Sequence, residues 1–148
     1  MADNYTLLFS DILNKVHKAK TKAQKVEILQ KYDTQALRML LKASFDPTKE
    51  WVIPEGEVPY KKNEAPINSG GHTRLVHEWR TLYNYVRGGN DKLSQMKRET
   101  MFIQLLEGLH ESEAELLMLV KDKNLQSKYR ITRALVEEVF DDIVWRDK

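Results

Sequence analysis

At 148 residues the chain has the length of one domain, and with 41% hydrophobic and 31% charged residues it is too apolar for a disordered chain. It contains no cysteine, which excludes a disulfide framework, a thiolate metal site and thiol catalysis, and suits a reducing cytosol. The formal net charge is only +2, so any preference for a polyanion has to come from where the cations sit.

No basic stretch followed by an apolar run opens the chain, and nowhere do ~18 apolar residues run together. The reading is a cytoplasmic protein with no signal peptide and no membrane span. Tyr5, Leu8, Phe9, Ile12, Leu13 and Val16 recur at i, i+3, i+4, i+7 spacing and predict an amphipathic first helix. Thr21-Lys22-Ala23-Gln24 has the form of a capping box and opens a short helix carrying Val26, Leu29 and Tyr32. Asp33 or Thr34 caps a third helix, with Leu37, Leu40, Leu41 and Phe45 on one face. That helix stops near Asp46-Pro47, because the residue before proline is pushed out of the α region.

All four prolines and half of the 6 glycines fall in residues 46–71, where three lysines face five acids. Trp51, Val52, Ile53, Val58 and Tyr60 require part of this stretch to pack back on the body. It reads as an Ω-like excursion of one domain spanning 1–148, ordered over 48–62 and mobile over 63–71. After Gly70-Gly71, Thr73 caps a helix carrying Leu75, Val76, Trp79, Leu82, Tyr83 and Val86, stopped by Gly88-Gly89. A further helix covers Leu93 to Leu109, with Phe102, Leu105, Leu106 and Leu109 inward. Ser112-Glu113-Ala114-Glu115 reads as a second capping box, ahead of Leu116, Leu117 and Val120. Thr132 caps a last helix bearing Leu135, Val136, Val139 and Phe140, with Ile131 and Val136 at hydrophobic-staple spacing. No segment alternates with period two for long enough to make a strand. The fold class is all-α: a single compact bundle of about seven helices with one long Pro-rich loop.

Catalytic signatures are missing. His72 and His77 are five apart, off a shared helix face, and neither HExxH nor GxSxG occurs. The paired glycines lack the lysine and hydroxyl that follow a phosphate loop. Glu137-Glu138 and Asp141-Asp142 read as solvated surface. The expectation is a protein that is not an enzyme and carries no metal or cofactor. Charge distribution is more informative: Lys15, Lys18, Lys20, Lys22 and Lys25 occur without an acid between Asn14 and Lys25. Lys121, Lys123, Lys128, Arg130 and Arg133 face only Asp122. The plain reading of such runs is solvated helix faces; the competing one is a phosphate-binding surface.

From Leu105-Leu106-Glu107-Gly108, through Ala114 to Lys123, to Arg130-Ile131-Thr132-Arg133 and Val144, the last third resembles the end of the N-terminal DNA-binding domain of phage-type ATP-dependent DNA ligases. Thr21 to Leu29 is similar to the second helix of that domain, while 46–71 has no counterpart there. The whole chain also looks like a family of small proteins of unknown role in T-even-like tailed phages. The resemblance implies an all-helical domain lying on duplex phosphates, without the adenylation domain. The nucleotidyl lysine would sit in a K-x-D-G pattern, and no such tetrapeptide occurs here. Incubation with labelled ATP should therefore give no protein–AMP adduct and no nick sealing; a labelled band would overturn this.

Carried onto this sequence, the hairpin positions are Lys121, Lys123, Lys128, Tyr129, Arg130, Thr132 and Arg133, joined by Lys18, Lys20, Lys22 and Lys25. Thr132 would cap its helix and leave first-turn N–H groups for a phosphate. Arg130 stands where the ligase loop has glycine. The expected partner is the phosphate backbone of double-stranded DNA, bound without sequence preference. The alternative is a protein-interaction module that binds a phage or host protein through the 46–71 loop and its exposed Trp51 or Tyr60. A continuous basic face joining the two cationic segments favours the first reading; their separation favours the second.

Overall fold

In a computed structural model of the protein, residues 8–46, 50–53, 58–60 and 73–140 are described. They form α1 (Phe9–Lys18), α2 (Lys22–Lys31), α3 (Gln35–Phe45), α4 (Leu75–Glu78), α5 (Gln95–Gly108), α6 (Glu111–Lys121) and α7 (Arg133–Val139). Tighter 3-10 segments run over Trp79–Tyr85, directly continuing α4, and over Leu125–Ser127. Among the described residues there is no strand, and the all-α class holds.

Local chemistry sets most of the boundaries. Thr21 accepts the Gln24 N–H at 3.2 Å, while the Gln24 side chain reaches the Lys20 N–H at 2.9 Å, one residue earlier than a capping box requires. Thr34, not Asp33, caps α3 by accepting the Leu37 N–H at 3.1 Å; Asp33 pairs with Arg38 instead. Thr132 caps α7, and Ile131 and Val136 on either side of that cap are both fully buried. One apolar cluster runs through all seven helices, from Leu13 through Leu41, Phe102 and Leu117 to Val136. The part of α1 expected before Leu8 lies outside the described residues.

Two helix starts differ from the sequence reading. Thr73 does not cap α4. Its hydroxyl donates to Glu78 at 2.7 Å and its N–H to the Gly108 carbonyl at 2.9 Å, while Arg74 takes the N-cap position without a side-chain bond. After one α turn the segment tightens, because Thr81 and Asn84 each donate a side-chain bond to the carbonyl three residues back. In a 3-10 helix residues i and i+3 eclipse. Trp79, Leu82 and Tyr85 therefore turn inward together, and Tyr83, expected in the core, is 54% exposed. Gly88 then takes φ +88°, and a side chain at Gly89 would put Cβ 2.0 Å from the Tyr83 oxygen, so the exit turn demands glycine.

The second difference lies at α6, where His110, not Ser112, is the N-cap. His110 Nδ1 accepts the Ser112 N–H at 3.1 Å, and the Ser112 hydroxyl lies 2.8 Å from that of Ser10 on α1. Glu113, buried in the core, accepts the Phe9 N–H and the Leu75 N–H, each at 3.0 Å. A single carboxylate thus caps both α1 and α4.

The stretch around Trp51 does pack back. Trp51 bridges Val86, Val52 donates to the Tyr85 carbonyl at 2.9 Å, and Trp51 Nε1 donates to the Ala43 carbonyl at 3.1 Å. Trp51 and Tyr60 are partly buried against the core, so neither is the exposed anchor that the protein-interaction reading assigned. Residues 61–72 and the expected mobility of 63–71 lie outside the described residues.

Candidate functional site

The two lysine-rich segments meet. Packing of α2 on α7 brings Lys25 Nζ within 2.8 Å of the Arg130 carbonyl, and Lys22 within 2.7 Å of Glu138. Lys18, Lys20, Lys22, Lys128, Arg130 and Thr132 are exposed, and Lys25 and Arg133 are half-buried.

Three residues of the expected interface face elsewhere. Lys121 has a fully buried side chain, paired with Asp122. Lys123 ends α6 in the left-handed conformation at φ 54°, with the paired backbone bonds of a Schellman turn, Lys123 N–H to Val120 and Asn124 N–H to Leu119. Its ammonium donates to the Ala43 and Asp46 carbonyls at 3.2 and 2.7 Å, tying the ends of α6 and α3 together. Tyr129 is a core residue, and burial raises its phenol pKa. None of the three presents a group to a phosphate. Their sequence signal, a basic or aromatic residue in a cationic run, says nothing about which way the α6 exit turns.

Carboxylates are interleaved with the cations that do face outward. Lys128 lies 3.0 Å from Glu115, which holds its ammonium above the ordinary lysine range, and Arg133 lies 3.1 Å from Glu137. Such surface pairs contribute about 0–1 kcal/mol each, so they hold these cations only weakly. Thr132 accepts the Leu135 N–H at 3.2 Å as expected, but α7 has only 7 residues. So short a helix carries little dipole, and phosphate binding at this edge has to rest on side chains.

A second feature was hidden by the α-helical reading of 75–86. Between α3 and the 3-10 segment lies a cleft of about 610 Å³. Met39 and Ala43 form one wall, and Trp79, Leu82, Tyr83 and Val86 form the other, with Gly88-Gly89 at one end. Among the described residues of the lining the charged ones are Lys42, Arg80 and Arg87, with no acid. The Arg80 guanidinium stands 5.2 Å from the Trp79 ring centroid, and Arg87 pairs across the rim with Glu50 at 3.0 Å. Met39 and Tyr83 are two of the three large apolar residues exposed among those described.

Among the described residues no group of three His, Asp or Glu is placed to hold a metal ion, and no helix is long and apolar enough to cross a membrane. A family model described as a family of unknown function (DUF6433) matches residues 12–127. No curated protein and no solved structure matches the chain.

Proposed function

The chain belongs to the DUF6433 family, and from that premise we propose that it is a non-catalytic, cytoplasmic binding protein that holds the phosphate backbone of duplex DNA along the α2–α7 edge. The observation that carries the reading is the contact of the Lys25 ammonium with the Arg130 carbonyl, which brings together residues 105 positions apart in two cationic segments. The proposed contacts are Lys18, Lys20, Lys22, Lys25, Lys128 and Arg130. Of the eleven positions expected from the sequence these six remain; Lys121, Lys123 and Tyr129 pack inward, Thr132 caps α7, and Arg133 is half-buried against Glu137. Glu115, Glu137 and Glu138 lie among these cations, so binding is weak and depends strongly on salt.

Each neutralised phosphate contributes about −0.9 to the slope of log K against log salt, and two to four contacts give a slope of roughly −2 to −4. Lys20→Glu with Arg130→Glu changes two exposed side chains off the apolar stripes, so the fold survives. Binding should fall equally on every duplex sequence, because backbone contacts position without specifying. The same reversal at Lys92 and Lys97, beside the start of α5, should leave binding within about twofold. Equal binding by the folded edge variant, or salt-independent binding by the parent, overturns the reading.

A further inference from the structure

The cleft between α3 and the 3-10 segment differs from the basic edge in kind: it is concave, apolar at its floor and cationic at its rim. Its volume of about 610 Å³ falls in the range of small-ligand and side-chain pockets. An occupant must bring apolar surface to cover Met39 and the Tyr83 ring, and negative charge that meets Arg80 and competes with Glu50 for Arg87. A nucleotide brings a flat base and a charged phosphate, but the hydrogen-bonding edge of the base needs partners. Among the described lining residues the side chains offer donors but only one good acceptor, the Tyr83 hydroxyl, so the donors on a base edge go unmatched. Burying an unmatched polar edge costs about 1–3 kcal/mol, which cancels much of what stacking contributes. An aliphatic or aromatic side chain has no such edge, and carboxylates on either side of it meet the cationic rim.

We propose that the cleft between α3 and the 3-10 segment docks an acidic linear segment of a partner protein, with one apolar or aromatic side chain seated between Met39 and Tyr83 and flanking carboxylates against Arg80 and Arg87. The mode is pocket-and-rim recognition, in which a buried anchor sets the affinity and charge sets the choice of partner. The site is distinct from the α2–α7 edge, and the proposal does not depend on DNA binding there.

The test is selection of a displayed library of short random peptides on the full-length protein, with counter-selection on the Met39→Glu, Arg80→Glu double variant. Both residues are exposed, and circular dichroism and urea unfolding establish that the variant folds. Enriched peptides should share an apolar or aromatic residue within two positions of Asp or Glu. The best of them, synthesised and labelled, should bind the double variant at least about tenfold more weakly. It should bind Lys20→Glu, Arg130→Glu as tightly as the parent, which separates this site from the DNA-binding edge. Failure to enrich any such motif overturns the proposal, as does equal affinity for the double variant. Oligothymidylate binding that is lost in the double variant also overturns it and places single-stranded nucleic acid in the cleft.

Discussion

Glu113→Ala should destabilise the protein by about 2–4 kcal/mol in urea unfolding, a large part of the stability of a domain this size. Glu113 is only 1% exposed, and its two carboxylate oxygens accept the first free N–H groups of two different helices. Alanine leaves both donors buried and unpaired. Glutamine keeps one acceptor and points an amide N–H toward the other donor, so Glu113→Gln should fall between alanine and the parent. Desolvation by burial raises the Glu113 pKa, outweighing the lowering by the backbone bonds from Leu75 and Phe9. An acid whose folded pKa is raised stabilises fully below the unfolded pKa, and that contribution is lost as pH rises through the folded value. The gap between the parent and Glu113→Gln should therefore narrow as pH rises from the ordinary glutamate range toward neutrality. A loss under about 0.5 kcal/mol for Glu113→Ala would mean that water caps both helix ends.

Helix content was readable from the sequence because it rests on local rules. The threonines at 21, 34 and 132 cap where their spacing to the next apolar stripe requires, and α3 ends at Phe45 with Asp46 in extended backbone, as a residue ahead of proline is expected to be. What failed was chemistry supplied from a distance. Nothing near Leu75 in sequence shows that its cap comes from Glu113, 38 positions away, and Ser112 was read as a cap because His110 is a rarer one. The α stripe drawn through Trp79, Tyr83 and Val86 assumed a period of 3.6. Side-chain bonds from Thr81 and Asn84 tighten the period to three and turn Tyr83 outward, and the cleft went unseen for that reason. The basic edge was half-readable. Charge runs showed where cations are dense, but not that Lys121 and Lys123 lie on the inner side of the α6 exit.

Arg98 supplies the second large effect, and it connects the core to the cleft. The residue is 7% exposed, and its guanidinium donates to the carbonyls of Asn84, Asn90 and Leu93 at 2.9–3.1 Å and to the Gln95 side chain at 2.7 Å. Those three carbonyls bracket the turn that carries Gly88-Gly89, so one planar fork holds the exit of the 3-10 segment against the start of α5. Methionine matches the length of the stem but donates nothing, leaving carbonyls buried without partners. Arg98→Met should cost about 2–4 kcal/mol in urea unfolding. Lysine keeps the charge and places one point donor where a fork is needed, so Arg98→Lys should recover less than half of that loss. Backbone amides between Val86 and Leu93 should exchange faster in the folded Arg98→Lys protein, while those of α1 and α2 keep their protection. The acidic peptide selected on the parent should then bind several-fold more weakly to a folded protein whose rim has loosened. Unchanged exchange at Val86 to Leu93 would show that the glycine turn holds itself, and that Arg98 contributes only to the core.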